Sequence, residues 1–131
     1  MNRQTISQRR ALAKFDVELP LPPTMNTAYV NVPGKGRVKA SGYSSWQTAA
    51  VAMIRVAIPI AKRIAGPIAV SILLPQKLNG DVDNRIKGVL DALVQSGRID
   101  DDRNVIKVSA EKALLRADTA FVSVSEHGEA A

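Results

Sequence analysis

Six of the twelve acidic residues of this 131-residue chain lie between positions 81 and 102, although the chain carries a formal net charge of +6. These six are Asp81, Asp83, Asp91, Asp100, Asp101 and Asp102. Carboxylates repel one another, so a basic protein that gathers them in one window is expected to neutralise them with a metal ion. A cation held by carboxylates in a basic protein indicates chemistry on phosphodiesters.

The densest part of this window contains Asp81 and Asp83, followed by Lys87. Magnesium prefers hard oxygen ligands, takes only a few carboxylates and keeps water at its other positions. Side chains two residues apart point the same way only in extended chain, so Asp81 and Asp83 can share an ion at a strand-to-helix junction. We expect the third carboxylate to come from residues 100–102, in a loop that folds back toward this junction.

Each of these residues also has an ordinary structural explanation. Asp83 could cap a helix, Lys87 could form a surface i,i+4 ion pair with Asp83 one turn before it, and residues 100–102 could be a solvated turn. A calcium-binding EF-hand matches poorly, because Arg85 and Ile86 stand where an oxygen ligand and a glycine are needed. The ordinary explanations suffice for single residues and become weaker for the set.

The charge is unevenly distributed along the chain. Residues 1–80 contain 11 Lys or Arg and 2 acids, whereas residues 81–131 contain 7 and 10. A basic surface of this kind binds the phosphate backbone of nucleic acid in a salt-dependent way. The alternative is a solvated basic face that only keeps the protein soluble.

The elements that must position these residues form an α+β pattern. Residues 14–19 alternate as a strand before a run of prolines, and residues 29–39 predict a basic hairpin or loop. Ser41 is expected to cap a helix that ends near Pro59 or near Gly66. The apolar positions assigned to the buried stripe of this helix are Tyr43, Trp46, Ala50, Met53 and Ala57.

The second half of the chain predicts a central strand, a helix and two further strands. The strand covers residues 67–74, and the last two cover residues 104–111 and 119–125. Between them a helix is expected to run from about Val82 to Gly97. Its apolar arc contains Val82, Ile86, Val89, Leu90 and Leu93, and its outward arc contains Asp83, Asn84, Lys87 and Asp91.

Composition limits the classes of protein that fit. The chain has no cysteine, which excludes disulfides, thiolate zinc sites and cysteine nucleophiles. We expect a single domain at residues 14–125, with a flexible basic arm at residues 1–13 and a tail at residues 126–131. No apolar run is long enough for a membrane span, and the N-terminus lacks the apolar region of a secretion signal. A cytoplasmic location is expected, and the sole histidine, His127, is interpreted as a solvated residue.

Three segments of the chain together carry a resemblance to one known family. The first is Asp81-Val82-Asp83-Asn84-Arg85-Ile86-Lys87-Gly88-Val89-Leu90-Asp91-Ala92-Leu93, followed by Gly97 and then Asp101-Asp102-Arg103-Asn104-Val105. The second runs from Pro20 to Asn26 and contains three prolines, and the third runs from Ser41 to Trp46 at the start of the first predicted helix. These segments resemble the acidic motif, the proline-containing N-terminal segment and the start of the first long helix of the RusA-type Holliday-junction resolvases of bacteria and their prophages. The resemblance covers about residues 14–125.

The resemblance implies a homodimeric, magnesium-dependent crossover junction endodeoxyribonuclease that acts in DNA recombination and repair. The predicted fold is RusA-like, a small mixed β-sheet packed by two main helices. Asp81, Asp83 and Asp102 match the family's metal-binding carboxylates, and Lys87 matches its active-site lysine. All four are therefore candidate catalytic residues. Asp101 stays open as a ligand or a neighbour of one, because the family pattern needs two consecutive acids and this chain has three.

The DNA-binding surface is predicted from the basic half of the chain. Lys35, Arg37 and Lys39 lie in the glycine-containing loop and are expected to hold backbone phosphates. Tyr29 is the one aromatic residue considered for DNA contact. Two other functions stay open: a non-catalytic basic nucleic-acid-binding module, and a different metal-dependent phosphohydrolase that acts on nucleotides.

Overall fold

Two α-helices and six strands occur in the computed structural model, which describes residues 13–24, 29–78, 82–115 and 118–127. In chain order they are β1 (Lys14–Pro20), β2 (Tyr29–Val32), β3 (Gly36–Lys39), α1 (Ser41–Ala57), β4 (Ile68–Pro75), α2 (Ile86–Ser96), β5 (Val105–Ala113) and β6 (Thr119–Glu126). Short 3-10 turns cover Ile60–Lys62, Val82–Arg85 and Asp102–Asn104. The predicted arm and tail lie mostly outside the described residues and stay predictions.

Four of the strands form one mixed sheet in the order β1-β6-β4-β5. β6 is antiparallel to both of its neighbours, whereas β5 runs parallel to β4. β2 and β3 form a separate antiparallel hairpin, as predicted. The predicted α+β class, with a small mixed sheet and two main helices, is confirmed. The central position predicted for β4 is also confirmed, because it has a paired strand on each side.

The core lies between one face of the sheet and the two helices. Burial alternates along β1, β4 and β6, since successive side chains of a strand point to opposite faces. The strands contribute Phe15, Val17, Leu19, Ile68, Val70, Ile72, Leu74, Ala120, Val122 and Val124. The helices contribute Tyr43, Trp46, Ala50, Ile54, Val89, Ala92 and Leu93. Tyr43 and Trp46 are core residues, as expected, and neither described helix is long and apolar enough to cross a membrane.

Helix α1 differs from its prediction at the cap. Ala40, with φ −66° and ψ 149°, occupies the N-cap position, and no side chain caps the helix. The Ala40 carbonyl accepts hydrogen bonds from the N–H groups of Tyr43 and Ser44. The first turn therefore closes around Ala40, so Ser41 is already helical and the predicted Ser41 cap is wrong.

The buried stripe of α1 also turns away from the predicted positions near the end of the helix. Met53 is 42% exposed and Ala57 is exposed, whereas Ile54 and Ile58 are buried. The helix stops at Ala57 because a residue that precedes proline avoids the helical conformation, and Ile58 before Pro59 is extended. Of the two ends predicted for α1, the one at Pro59 is confirmed.

The helix predicted to begin at Val82 is divided in two. Val82–Arg85 forms a 3-10 turn, and the α-helix begins only at Ile86. Asp83 therefore lies in the turn that leads into α2, not on the α-helical arc of Lys87. The predicted end is confirmed: Gly97 adopts φ +77°, and its N–H donates to the Val94 carbonyl at 3.0 Å.

Candidate active site

The turn between β4 and α2 carries the first candidate carboxylate. β4 ends at Pro75, and Asp83 is exposed in the 3-10 turn that immediately precedes α2. The expected strand-to-helix junction is therefore present. Asp81 lies outside the described residues, so the sharing of one ion by Asp81 and Asp83 stays a prediction.

Arg85 anchors this turn to the proline-rich segment that follows β1. Its Nη1 donates a hydrogen bond to the Pro22 carbonyl, while Trp46 Nε1 donates to the Pro20 carbonyl at 2.9 Å. Burial lowers the pKa of Arg85, and its Nε has no acceptor among the described residues. The proline segment is thus held between α1 and the turn that carries Asp83.

Lys87, the second residue of α2, pairs with Asp91. The distance from Lys87 Nζ to Asp91 Oδ1 is 3.3 Å, and the Lys87 side chain is 58% exposed. The other oxygen of Asp91 accepts a hydrogen bond from the Tyr43 hydroxyl at 3.1 Å. Lys87 therefore forms an i,i+4 ion pair with the following Asp91, whereas the sequence interpretation paired it with the preceding Asp83. Its ammonium group is accessible to a phosphate.

The three consecutive acids before β5 have different surroundings. Asp100 pairs with Arg63 on the surface. Asp101 caps the following 3-10 turn: it accepts from the Arg103 backbone N–H at 2.9 Å and pairs with the Arg103 guanidinium at 3.1 Å. The backbone and side-chain hydrogen bonds from Arg103 hold the pKa of Asp101 below its usual range. Asp102 is exposed, whereas both oxygens of Asp101 are engaged by Arg103.

Asp83 and Asp102 lie at opposite ends of α2. Asp83 follows the carboxyl end of β4, whereas Asp102 precedes Val105, which pairs with the first residue of β4. The 11 residues of α2 span about 16 Å at 1.5 Å per residue. Within one chain the acidic loop therefore does not fold back toward Asp83 as expected. Among the described residues, which do not include Asp81, no group of three potential ligands could hold a metal ion.

The basic hairpin is linked to Lys87 through Tyr43 and Asp91. Lys35, Arg37 and Lys39 are all exposed on β3 and the turn before it. Lys39 Nζ lies 5.6 Å from the centroid of the Tyr43 ring, and the Tyr43 hydroxyl contacts the acid that pairs with Lys87. The hairpin and α2 are thus connected through Tyr43. The side chain of Tyr29 lies outside the described residues, so its DNA contact stays a prediction.

Two residues of this site were assigned other roles in the sequence analysis. Tyr43 was interpreted only as a core residue, although its hydroxyl faces a carboxylate. Asp91 was placed on the outward face of the helix without a partner. Its spacing of four residues from Lys87 is the signal that predicts the ion pair. No pattern in the sequence indicates which buried aromatic hydroxyl would reach Asp91.

Comparison with protein-family models places this arrangement among known proteins. The model described as Endodeoxyribonuclease RusA matches residues 20–125 of the 131-residue chain. No match was found among curated proteins. The matched range contains the hairpin, both helices, β4, β5 and all of β6 except its last residue, whereas of β1 it includes only Pro20. The chain therefore belongs to the RusA endodeoxyribonuclease family.

Proposed function

We propose that this protein is a magnesium-dependent endonuclease that resolves four-way DNA junctions by paired phosphodiester hydrolysis. The family match over residues 20–125 carries the proposal, because it includes every candidate carboxylate and lysine. The activity would serve recombination and repair of bacterial or prophage DNA in the cytoplasm. The alternative phosphohydrolase of small nucleotides has no comparable support.

The proposed magnesium ligands are Asp81, Asp83 and Asp102. Their carboxylate oxygens suit a hard cation, and Asp83 and Asp102 are exposed. When bound, the ion would polarise the scissile phosphate and lower the pKa of a coordinated water. The donor types therefore fit magnesium, whereas the positions of Asp83 and Asp102 in one chain do not bring them to one ion.

A homodimer formed through β5 would remove this difficulty. β5 is a nine-residue strand at the edge of the sheet, and it pairs only with β4 among the described strands. An unpaired edge strand is a template for pairing with a second chain. Two side chains of β5, Ile106 and Val108, are 54% and 37% exposed. A second copy would cover both the open edge and these apolar groups.

Two-fold antiparallel pairing of β5 would place the start of one strand beside the end of the other. Asp102 precedes the start of β5, and the turn that carries Asp83 contacts β5 and follows the end of the paired β4. In such a dimer, Asp102 of one subunit would lie at the same edge as Asp83 of the partner subunit. Two equivalent sites would result, which suits a junction that is cut symmetrically.

The chain's own cations would hold the DNA. Lys35, Arg37 and Lys39 are exposed and offer charge to backbone phosphates without reading bases. Lys87 would donate to the scissile phosphate and stabilise the charge that develops on it. Asp101, already engaged by Arg103, would shape the turn that presents Asp102.

Cleavage of a synthetic four-way junction with magnesium tests the activity. The parent is expected to make paired cuts, and Asp83→Asn is expected to bind the junction without cutting it. The separation of Asp83 from Asp102 favours one rival, the non-catalytic DNA-binding module. That rival predicts tight, salt-dependent junction binding and no magnesium-dependent cleavage by the parent.

Mixed dimers test whether the site is shared between subunits. Co-expressed Asp83→Asn and Asp102→Asn chains form heterodimers with one doubly substituted site and one intact site. About a quarter of all sites would then be active, and the products would be single nicks. Mixing Asp83→Asn with Asp81→Asn is the matched control, because both substitutions inactivate the same half of a site. If the Asp83→Asn and Asp102→Asn mixture is as inactive as the control mixture, the proposal of a site shared between subunits is wrong.

A further inference from the structure

Tyr43 lies between two lysines that come from different elements. Its hydroxyl donates to Asp91 Oδ2 at 3.1 Å, and Asp91 Oδ1 lies 3.3 Å from Lys87 Nζ. Lys39 Nζ is 5.6 Å from the centroid of the Tyr43 ring. The tyrosine is only 1% exposed, so one buried side chain connects the hairpin lysine with the helix lysine.

The Lys87–Asp91 pair is more than a surface ion pair that stabilises a helix. Such pairs contribute a few tenths of a kcal/mol, and they are weaker when the lysine precedes the acid, as it does here. The Asp91 side chain is 24% exposed and is fixed from the other side by a buried hydroxyl. Asp91 is therefore held in position independently of Lys87, and the lysine is the mobile partner.

The Tyr43 ring stacks on Trp46, with ring centroids 6.4 Å apart and an interplanar angle of 16°. A Cβ at Gly88 of α2 would lie 3.7 Å from Tyr43 Cε1 and 3.6 Å from Trp46 Cζ3, which are ordinary packing distances. Gln47 is buried, and its Oε1 accepts a hydrogen bond from Lys39 Nζ at 2.6 Å, while its Nε2 has no partner among the described residues. The Gln47 side chain thus accepts a hydrogen bond from Lys39, while its own buried N–H groups lack an acceptor among the described residues.

We propose that Tyr43 and Asp91 are positioning residues that hold Lys87 and Lys39 as one phosphate-binding pair. Asp91 orients the Lys87 ammonium group toward the scissile phosphate, and the Tyr43 ring and Gln47 hold Lys39 for a neighbouring phosphate. This inference rests on the proposed function. It adds two residues that touch neither the DNA nor a metal ion.

Single-turnover cleavage of a four-way junction by the full chain, at saturating enzyme and magnesium, is the test. Tyr43→Phe removes only the hydroxyl and is expected to slow cleavage about tenfold, with junction Kd within about twofold of the parent. In a Lys87→Met background the same substitution is expected to cause no further loss. Lys39→Gln is expected to weaken junction binding and to lower its salt dependence by about one phosphate contact.

Asp91→Asn provides a second variant outside the core, because it keeps an acceptor for Tyr43 and removes only the charge that orients Lys87. It is expected to slow cleavage as much as Tyr43→Phe does. Asp16→Asn, on the exposed face of β1, is the matched control and should cleave like the parent. Thermal melting confirms that each variant is folded.

The outcomes separate this inference from the proposed function. A parent that does not cut the junction overturns the proposed function, and the positioning roles with it. A parent that cuts, together with Tyr43→Phe and Asp91→Asn variants that cut equally fast, overturns the positioning roles alone. Equal losses from Tyr43→Phe in the parent and Lys87→Met backgrounds would assign the tyrosine a purely structural role, which also overturns the inference.

Discussion

Replacing Arg98 with methionine tests whether this buried cation holds the ends of both helices. Arg98 is 8% exposed and has no carboxylate partner among the described salt bridges. Its Nε donates to the Ile58 carbonyl at 2.7 Å, and its Nη1 donates to the Ser96 carbonyl at 3.0 Å. Helix C-termini carry unpaired carbonyls and partial negative charge, so α1 and α2 together neutralise the guanidinium.

The expected cost follows from these two short hydrogen bonds. A third hydrogen bond, from Nη2 to the Arg55 carbonyl at 3.4 Å, is long and therefore weak. Hydrogen bonds from a charged donor are worth about 1.5–3 kcal/mol each, and methionine leaves two carbonyls unsatisfied. Removing a buried charge returns part of its desolvation cost. We therefore expect Arg98→Met to lower the free energy of unfolding by about 3 kcal/mol, which corresponds to roughly 10 °C in Tm.

Urea unfolding followed by circular dichroism measures this change. Arg63→Met is the control, because Arg63 is exposed and its pair with Asp100 is a surface ion pair. Its cost should stay below about 0.5 kcal/mol. Arg98→Lys should recover only part of the loss, since one ammonium group cannot reach both helix ends as a guanidinium does. A loss below about 1 kcal/mol for Arg98→Met would refute the reasoning.

Further predictions concern the backbone, one carboxylate and DNA binding. Gly97→Ala should lower the free energy of unfolding in urea by about 1–2 kcal/mol, because residue 97 has φ +77°. Gly88→Ala should leave this free energy unchanged or raise it by roughly 0.5 kcal/mol, because the added Cβ makes only ordinary packing contacts. The lowered pKa of Asp101 means that its contribution to stability is present above the unfolded-state pKa and is lost as the pH falls through the folded-state pKa. Arg103→Met should raise the pKa of Asp101 toward its ordinary value in an NMR titration. Lys35→Gln should weaken junction binding and reduce the slope of log Kd against log salt by about one.

Local patterns in the sequence predicted most of the fold because the physical causes are local. Alternation predicts β1, β5 and β6, and a compact run of β-branched and leucine residues predicts β4. The left-handed conformation of Gly97 ends α2 as expected. The Ser41 cap is wrong because the choice of N-cap depends on how the chain leaves β3, which a single residue type does not specify. Arg98 gave no signal either, since its acceptors are carbonyls of helix ends that are distant in sequence.

The sequence likewise indicated which residues could form the site, but it did not indicate which of them lie close together. The carboxylates and Lys87 are visible as a motif, but the meeting of Asp83 and Asp102 depends on the relative direction of β4 and β5. A strand, a helix and a strand that pairs parallel to the first require a crossover, which returns the chain to the end where it started. Residues just before β5 must then lie at the other end of the sheet from residues just after β4.

Because β4 and β5 are parallel, cleavage should require the dimer if Asp83 and Asp102 bind one cation. A site whose ligands come from opposite ends of α2 in two subunits cannot exist in a dissociated chain. Cleavage per chain should then fall as the protein is diluted below the dissociation constant of its dimer, in parallel with the dimer fraction measured by sedimentation. Charged substitutions at Ile106 or Val108 of β5 should move both curves to higher concentration together. Cleavage that continues unchanged in the monomeric range would place the complete metal site within one chain.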